Sequence, residues 1–178
     1  MTKTRTVYIA MSGGVDSAVT AALLLEEGYR MYGIHMETWK APGAGNGSSA
    51  PSDEELLAEN VARVLGIPFT SLDLRNQFYQ DVVQSFIHRY SAGRTPNPCL
   101  FCNPQVKWGI LQTFALKEGA DFFATGHYAR IDRKGSQPVR LLRGTDRSKD
   151  QSYVLCLLSQ TQLRKSLLPL GKMTKKAV

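Results

Sequence analysis

TVYIAMSGGVDSAVTAALLLEEG, residues 6–28, decides the fold. TVYIAM is apolar and β-branched and predicts a strand, whereas SAVTAALLLEEG (17–28) predicts a helix stopped by Gly28. Between them stand Ser12, Gly13, Gly14, Asp16 and Ser17. A tight turn would be served by small residues alone. Two hydroxyls and a carboxylate beside the glycines suit a phosphate better. Gly13 and Gly14 are expected to take positive φ and let the backbone approach a ligand. The first N–H groups of the following helix have no internal partner, and its dipole favours an anion. Asp16 fits such a cradle once Mg2+ accompanies the phosphates. The stretch lacks the Gly-Lys-Ser/Thr ending of a Walker A loop and the G-x-G-x-x-G of a dinucleotide fold.

Outward from this point, strand-like and helix-length segments alternate. YRMYGIHME (29–37) predicts a second strand and IPFTSLDL (67–74) a third. Ser52 is placed to cap a helix that begins DEELLAENVARVLG, with Glu55 as its capping-box partner and Gly66 as its stop. APGAGNGSSAPS (41–52) reads as a mobile loop. Phe78, Val82, Val83, Phe86 and Tyr90 fall on one face of a helix over 75–93. RTPNPCLFCN (94–103) reads as a loop, followed by a helix over 105–119 with Pro104 near its first turn. A fourth strand lies within 120–131. Residues 137–144 form a fifth, in a hairpin with YARI, and 159–168 a short last helix. This alternation predicts an α/β fold, a Rossmann-like parallel sheet with helices on both faces, whose ligands bind at the carboxyl ends of the strands.

The 178 residues suit one domain with a real core. No apolar run approaches the roughly 20 residues of a membrane span. The N-terminus reads as a first strand and not as an export signal. Three cysteines, Cys99, Cys102 and Cys156, do not make a disulfide framework and point to a reducing, cytoplasmic setting. The net charge of +7 is unevenly spread: residues 1–88 hold 6 Lys/Arg against 10 Asp/Glu, residues 89–178 hold 16 against 5. A basic half suits either a polyanionic partner or a solvated face.

SGGVDS resembles the signature of the PP-loop ATP pyrophosphatases, the adenine nucleotide alpha hydrolase-like fold. GRTPNPCLFCN (93–103), ATGHYARI (124–131), LLRGTDRSKDQSYVL (141–155) and LLPLGKMTK (167–175) narrow the resemblance to the tRNA-specific 2-thiouridylases. That family is about twice as long. The resemblance therefore implies that residues 1–178 are its ATP-binding catalytic domain, without the central and C-terminal β-barrel-like domains. It implies an ATP-dependent tRNA-uridine 2-sulfurtransferase. Mg-ATP adenylates the wobble uridine, and sulfur from a persulfide-carrying donor protein then displaces AMP. Its implied partners are tRNA and that donor, with no membrane. Two other readings stay open: a PP-loop adenylating enzyme with another substrate, and a nucleotide- or RNA-binding fragment without turnover.

Residue by residue, the resemblance puts Ala10, Ser12, Gly13, Gly14, Asp16, Ser17, Met36, Gly126 and His127 around ATP, with Asp16, Cys99 and Cys102 as the catalytic set. Cys99 stands where many members carry Asp, and Cys102 matches the family's first essential cysteine. Three readings of the pair stay open: a sulfur-handling thiol at Cys102, two ligands of a [4Fe-4S] cluster, or half a zinc site. In a proline-rich loop before a helix N-terminus, both thiols are expected to have lowered pKa values. Cys156, within YVLCLL, is expected in the core. Arg94, Lys107, Arg143, Arg147 and Lys149 are candidate phosphate contacts for tRNA, and Gln151 a contact for a base edge. The loop over 41–52 departs from the acidic, cysteine-bearing stretch usual in the family.

Overall fold

The computed structural model describes residues 4–38, 51–133 and 138–178. The chain opens with β1 (Thr6–Ala10), α1 (Val15–Glu26), β2 (Arg30–Glu37), α2 (Asp53–Leu65) and β3 (Phe69–Asp73). A broken helical stretch follows: α3 (Arg75–Phe78), a π-helical segment Tyr79–Val83 and α4 (Gln84–Ser91). A second comprises α5 (Cys99–Cys102), a π-helical segment Asn103–Leu111 and α6 (Gln112–Lys117). The chain then forms β4 (Phe122–Ala124), β5 (Ala129–Asp132), β6 (Arg140–Arg143), a 3-10 turn Ser152–Leu155, α7 (Gln160–Arg164), β7 (Ser166–Leu167) and a 3-10 turn Pro169–Lys172.

Five strands make one parallel sheet in the order β3-β2-β1-β4-β7, and β5 and β6 form a separate antiparallel hairpin. Side chains of β1 alternate between faces, and both faces are covered. Val7 and Ile9, with Met11 just after the strand, pack with Ala21 and Leu24 of α1 and Ala58 and Ala62 of α2. Tyr8 faces the other way, into a core with Trp108, Leu111, Phe123, Leu155 and Leu168. The expected α/β sheet with helices on both faces is the observed one. The chain runs from β1 outward to β3, then returns to β4 on the far side of β1. Strand order therefore reverses between β1 and β4, and their carboxyl ends open a crevice.

Several local expectations are corrected. Helix α1 starts at Val15, earlier than 17. Ser52 caps α2 by accepting from Glu55 N–H at 3.1 Å, but its own N–H donates to Glu37 Oε1 at 3.1 Å, so the reciprocal half of the box belongs to β2. The face predicted on 75–93 is not buried as a stripe: Val82 is buried, whereas Phe86 and Tyr90 stack on each other at the surface. The π-helical segment adds a residue per turn and turns the later side chains off the register a regular helix would keep. The loop predicted at 94–103 is already helical from Cys99. Pro104 lies inside a continuous helical run, where the wider π turn accommodates a residue that has no N–H to donate. Cys156 is exposed: Val154 and Leu155 point inward from the 3-10 turn and leave it facing solvent. The last helix, expected to run to 168, ends at Arg164, and Ser166–Leu167 form the unexpected strand β7 beside β4. The loop at 41–50 and the start of the fifth strand at 137 lie outside the described residues. Among the described residues no helix is long and apolar enough to cross a membrane.

Candidate active site

The crevice at the β1/β4 reversal is a cavity of about 500 Å3. Its walls include Ala10 at the end of β1 and Ser12 after it, Asp16 and Ser17 of α1, His35 and Met36 of β2, and Thr125, Gly126 and His127 after β4. Lys107, Leu111 and Gln151 also line it. Of the proposed nucleotide residues, Gly13 and Gly14 lie in the turn itself.

Gly13 has φ 75°, the left-handed conformation that favours glycine. A Cβ there would also stand 2.6 Å from Leu57 Cβ and 3.0 Å from Glu54 O. Gly14, expected to share this conformation, is instead the extended N-cap of α1, φ −81° and ψ 160°. The turn is stitched by hydroxyls. Ser17 Oγ donates to Gly14 O at 2.8 Å, and Ser12 N–H donates to Ser17 Oγ at 3.3 Å. The opening N–H groups of α1 are thus held in a fixed array at the cavity wall, as an anion cradle requires.

Asp16 has more partners than its sequence neighbours could suggest. Its Oδ1 accepts from Tyr128 Oη at 2.8 Å and from Lys175 Nζ at 2.6 Å. Burial, with the Asp16 carboxylate beside it, pushes the Tyr128 hydroxyl well above the usual phenol range, so it remains a donor. Tyr128 is pinned in turn by Gln151, whose Oε1 accepts from Tyr128 N–H at 3.0 Å and whose N–H donates to Tyr128 O at 2.9 Å. Lys107 and Gln151, read from the sequence as tRNA contacts, therefore stand in the cavity wall. Lys107, Tyr128 and Lys175 are the site residues whose place the sequence reading missed. Asp16 and Lys175 are 159 positions apart, and no local pattern joins them.

At the end of β4, His127 Nδ1 and Thr125 Oγ1 share a hydrogen bond of 2.8 Å, and the ring lies 5.5 Å from Trp108. Burial, with the Lys107 charge beside it, drops the His127 pKa to about 3. The ring is neutral at pH 7, so it can offer an N–H but no positive charge. The unfolded chain has its ordinary value near 6.5. As pH falls below that, the unfolded state gains a proton that the folded state refuses, and stability falls with it until about pH 3. At pH 5 this histidine is expected to cost about 2 kcal/mol relative to pH 7. Urea unfolding at both pH values should show that difference in the unaltered chain and lose it in His127→Gln.

His35 supports the same rim from β2, its Nδ1–H donating to Met11 O at 2.8 Å. Cys102 lies outside the cavity lining. Burial and the neighbouring Cys99 push its thiol above the usual range, against the opposing charge of Lys107. The expected lowering fails because the helix starts at Cys99: Cys102 is already a turn in, away from the free N–H groups. Cys99 is exposed, with its N–H held by Asn97 Oδ1 at 3.0 Å. Among the described residues no group of three or more His, Cys, Asp or Glu stands in metal-binding array. The two cysteines alone do not complete a cluster or a zinc site. Mg2+ asks less of the protein, one or two carboxylates with waters and phosphates supplying the rest, and Asp16 at the cradle fits that demand.

Arg94, Arg143, Arg147 and Lys149 are exposed and line no part of the cavity. Arg147 and Lys149 ride on a loop organised by two aspartates. Asp146 Oδ1 accepts from Ser148 N–H and hydroxyl. Burial opposes ionisation of Asp150, yet bonds from Gly144 N–H and from Ser152 hold its carboxyl below the usual range.

A family described as the tRNA methyl transferase HUP domain matches residues 5–178. A tRNA-specific 2-thiouridylase MnmA of Geobacter metallireducens is 47% identical, over 97% of this chain and 48% of its own length. One of Bacillus subtilis is 44% identical, over 97% of this chain and 46% of its own length. The chain thus spans about half the length of these relatives. A crystal structure described as a "predicted subunit of tRNA methyltransferase" from Methanocaldococcus jannaschii superposes with a TM-score of 0.57 at 18% identity, covering 97% of this chain and 71% of that one, which is a likeness of fold. With its whole described sheet and its glycine cradle inside the matched residues, the chain belongs to the tRNA methyl transferase HUP domain family.

Proposed function

We propose that this chain is the ATP-binding, adenylating part of a tRNA 2-thiouridylating enzyme. The observation that carries the reading is the hydroxyl-stitched glycine cradle at the reversal point of the sheet, facing a cavity large enough for a nucleotide. The curated relatives at 44–47% identity bear the name of that activity.

In this reading the N–H groups opening α1, with Ser12 and Ser17, hold the β- and γ-phosphates. The end of β2 at Met36 and the end of β4 at Gly126 flank the nucleoside. Asp16 would hold Mg2+, which would supply charge neutralisation for the departing pyrophosphate. The uridine C2 oxygen attacks the α-phosphorus, and the bond to pyrophosphate breaks. A urea-like oxygen is a poor leaving group, and its adenylate is a good one. A persulfide sulfur, carried by Cys102 from a donor protein, then attacks C2, and AMP leaves with the oxygen. A second thiol takes the carrier sulfur into a disulfide. Arg94, Arg143, Arg147 and Lys149 contribute phosphate contacts to the tRNA, which makes binding steeply salt-dependent. Gln151 stands close enough to the cavity to meet an extruded base.

The test is equilibrium binding of Mg-ATP, followed by AMP and pyrophosphate release with and without a tRNA transcript bearing a wobble uridine. The expected result is ATP uptake and tRNA-stimulated release of pyrophosphate. No ATP uptake sinks the reading. Uptake with release that tRNA leaves unchanged points instead to another adenylated substrate.

A further inference from the structure

The cradle lacks a cation of its own. Residues 12–17 contain no Lys or Arg, and the motif has no lysine following its glycines. A triphosphate brings several negative charges, more than backbone N–H groups and one divalent ion neutralise. We propose that Lys175 is the phosphate-binding lysine of this site, parked on Asp16 until a polyphosphate arrives. This rests on reading the cavity as a nucleotide site.

Three features of the geometry support the assignment. First, the ammonium already stands at the cradle: Nζ lies 2.6 Å from Asp16 Oδ1 and 5.9 Å from the centre of the Tyr128 ring. Second, the backbone that carries it is fixed while the stem is free. Lys175 N–H donates to Asp146 Oδ2 at 2.9 Å, and Thr145 N–H donates to Gly171 O at 2.9 Å, fastening the last segment to the Asp146 loop. The side chain itself is 41% exposed, so its stem can swing. Third, the ion pair is one the ligand can replace. Lys175 and Tyr128 crowd the same carboxylate oxygen, and Asp16 is itself 40% exposed. A pair this open contributes little to folding and gives way readily to a stronger partner. Asp16 would hold Mg2+ with the phosphates, and the released ammonium would then be free to pair with the polyphosphate.

Lys107 does not fill this role. Its charge is felt by His127 and Cys102, and it makes no ion pair with Asp16, whose carboxylate is held by Lys175 and Tyr128. Lys107 lines the cavity, whereas Lys175 is the lysine paired with the Asp16 carboxylate.

The test uses the full chain and three probes: ATP, inorganic pyrophosphate and AMP, each titrated with Mg2+ by calorimetry into the unaltered protein, Lys175→Met and Lys175→Arg. Lys175→Met is expected to weaken ATP and pyrophosphate about tenfold or more while AMP stays within about twofold, because a single phosphate at the nucleoside end does not reach the cradle. Lys175→Arg should recover most of the loss. Both variants should melt within about 2 °C of the unaltered chain, as an exposed ion pair allows. ATP and AMP weakened alike, or ATP unaffected by Lys175→Met, overturns the assignment while leaving the nucleotide reading intact. No ATP uptake by the unaltered chain overturns both.

Discussion

Gly171→Ala is expected to lower stability by about 3 kcal/mol and the melting temperature by about 6–12 °C. A Cβ at Gly171 would stand 1.9 Å from Ala129 O and 2.5 Å from its carbonyl carbon. No rotamer relieves this clash, since the obstacle is the backbone of β5. Leu170 beside it is fully buried, so the segment cannot lift away without exposing apolar surface. The same glycine sits in the segment that delivers Lys175 to Asp16. Its loss should weaken ATP as well as the fold, which chemical denaturation and calorimetry on one preparation would both register. A melting temperature unchanged by the substitution would show that β5 and the last segment are not packed as described.

Asp16→Asn is the opposite case: a large effect on turnover with a small one on stability. The amide keeps an oxygen for the Tyr128 hydroxyl and loses the charge that pairs Lys175 and would hold Mg2+. On the adenylation proposed above, conversion of ATP to AMP and pyrophosphate is expected to fall by about 100-fold or more, the usual scale for removing one electrostatic element from a charged transition state. The ion pair is open to solvent, so the stability change should stay below about 1 kcal/mol. Pyrophosphate release measured beside urea unfolding separates the two. A variant that turns over ATP normally would remove Asp16 from the chemistry.

What the sequence made legible is whatever local physics fixes. The apolar alternation of TVYIAM, the glycine stop at 66 and the serine cap at 52 each reflect forces acting within a few residues, and each is found in place. The glycine turn between β1 and α1 was legible because it follows a strand and precedes a helix, and it stands at the cavity wall. What was not legible depends on distant partners or on unusual helical winding. Nothing near residue 16 announces Tyr128 or Lys175. The π-helical segments, one of which carries the buried Asn103 and the other of which precedes the exposed Tyr90, have no periodic signature in the sequence. Asn103 is held by a bond to Val154 O at 2.9 Å, 51 positions away. The two-residue strand β7 is too short to carry a period of its own and exists because β4 offers an edge. The thiol of Cys102 departs from expectation because it is buried, and because a helix beginning six residues early leaves it a turn away from the free N–H groups.

The central position of β1 carries a consequence for how the molecule is assembled. One side of β1 is joined by β2, its register partners 24 positions away, and the other by β4, about 115 positions away. The first pairing closes a short loop and is quick. The second waits on a long one. During refolding, the innermost strand therefore keeps one bare edge, lined by Val7, Tyr8 and Ile9, until residues 122–124 come home, and this is the interval in which dilution or a chaperone should most improve recovery.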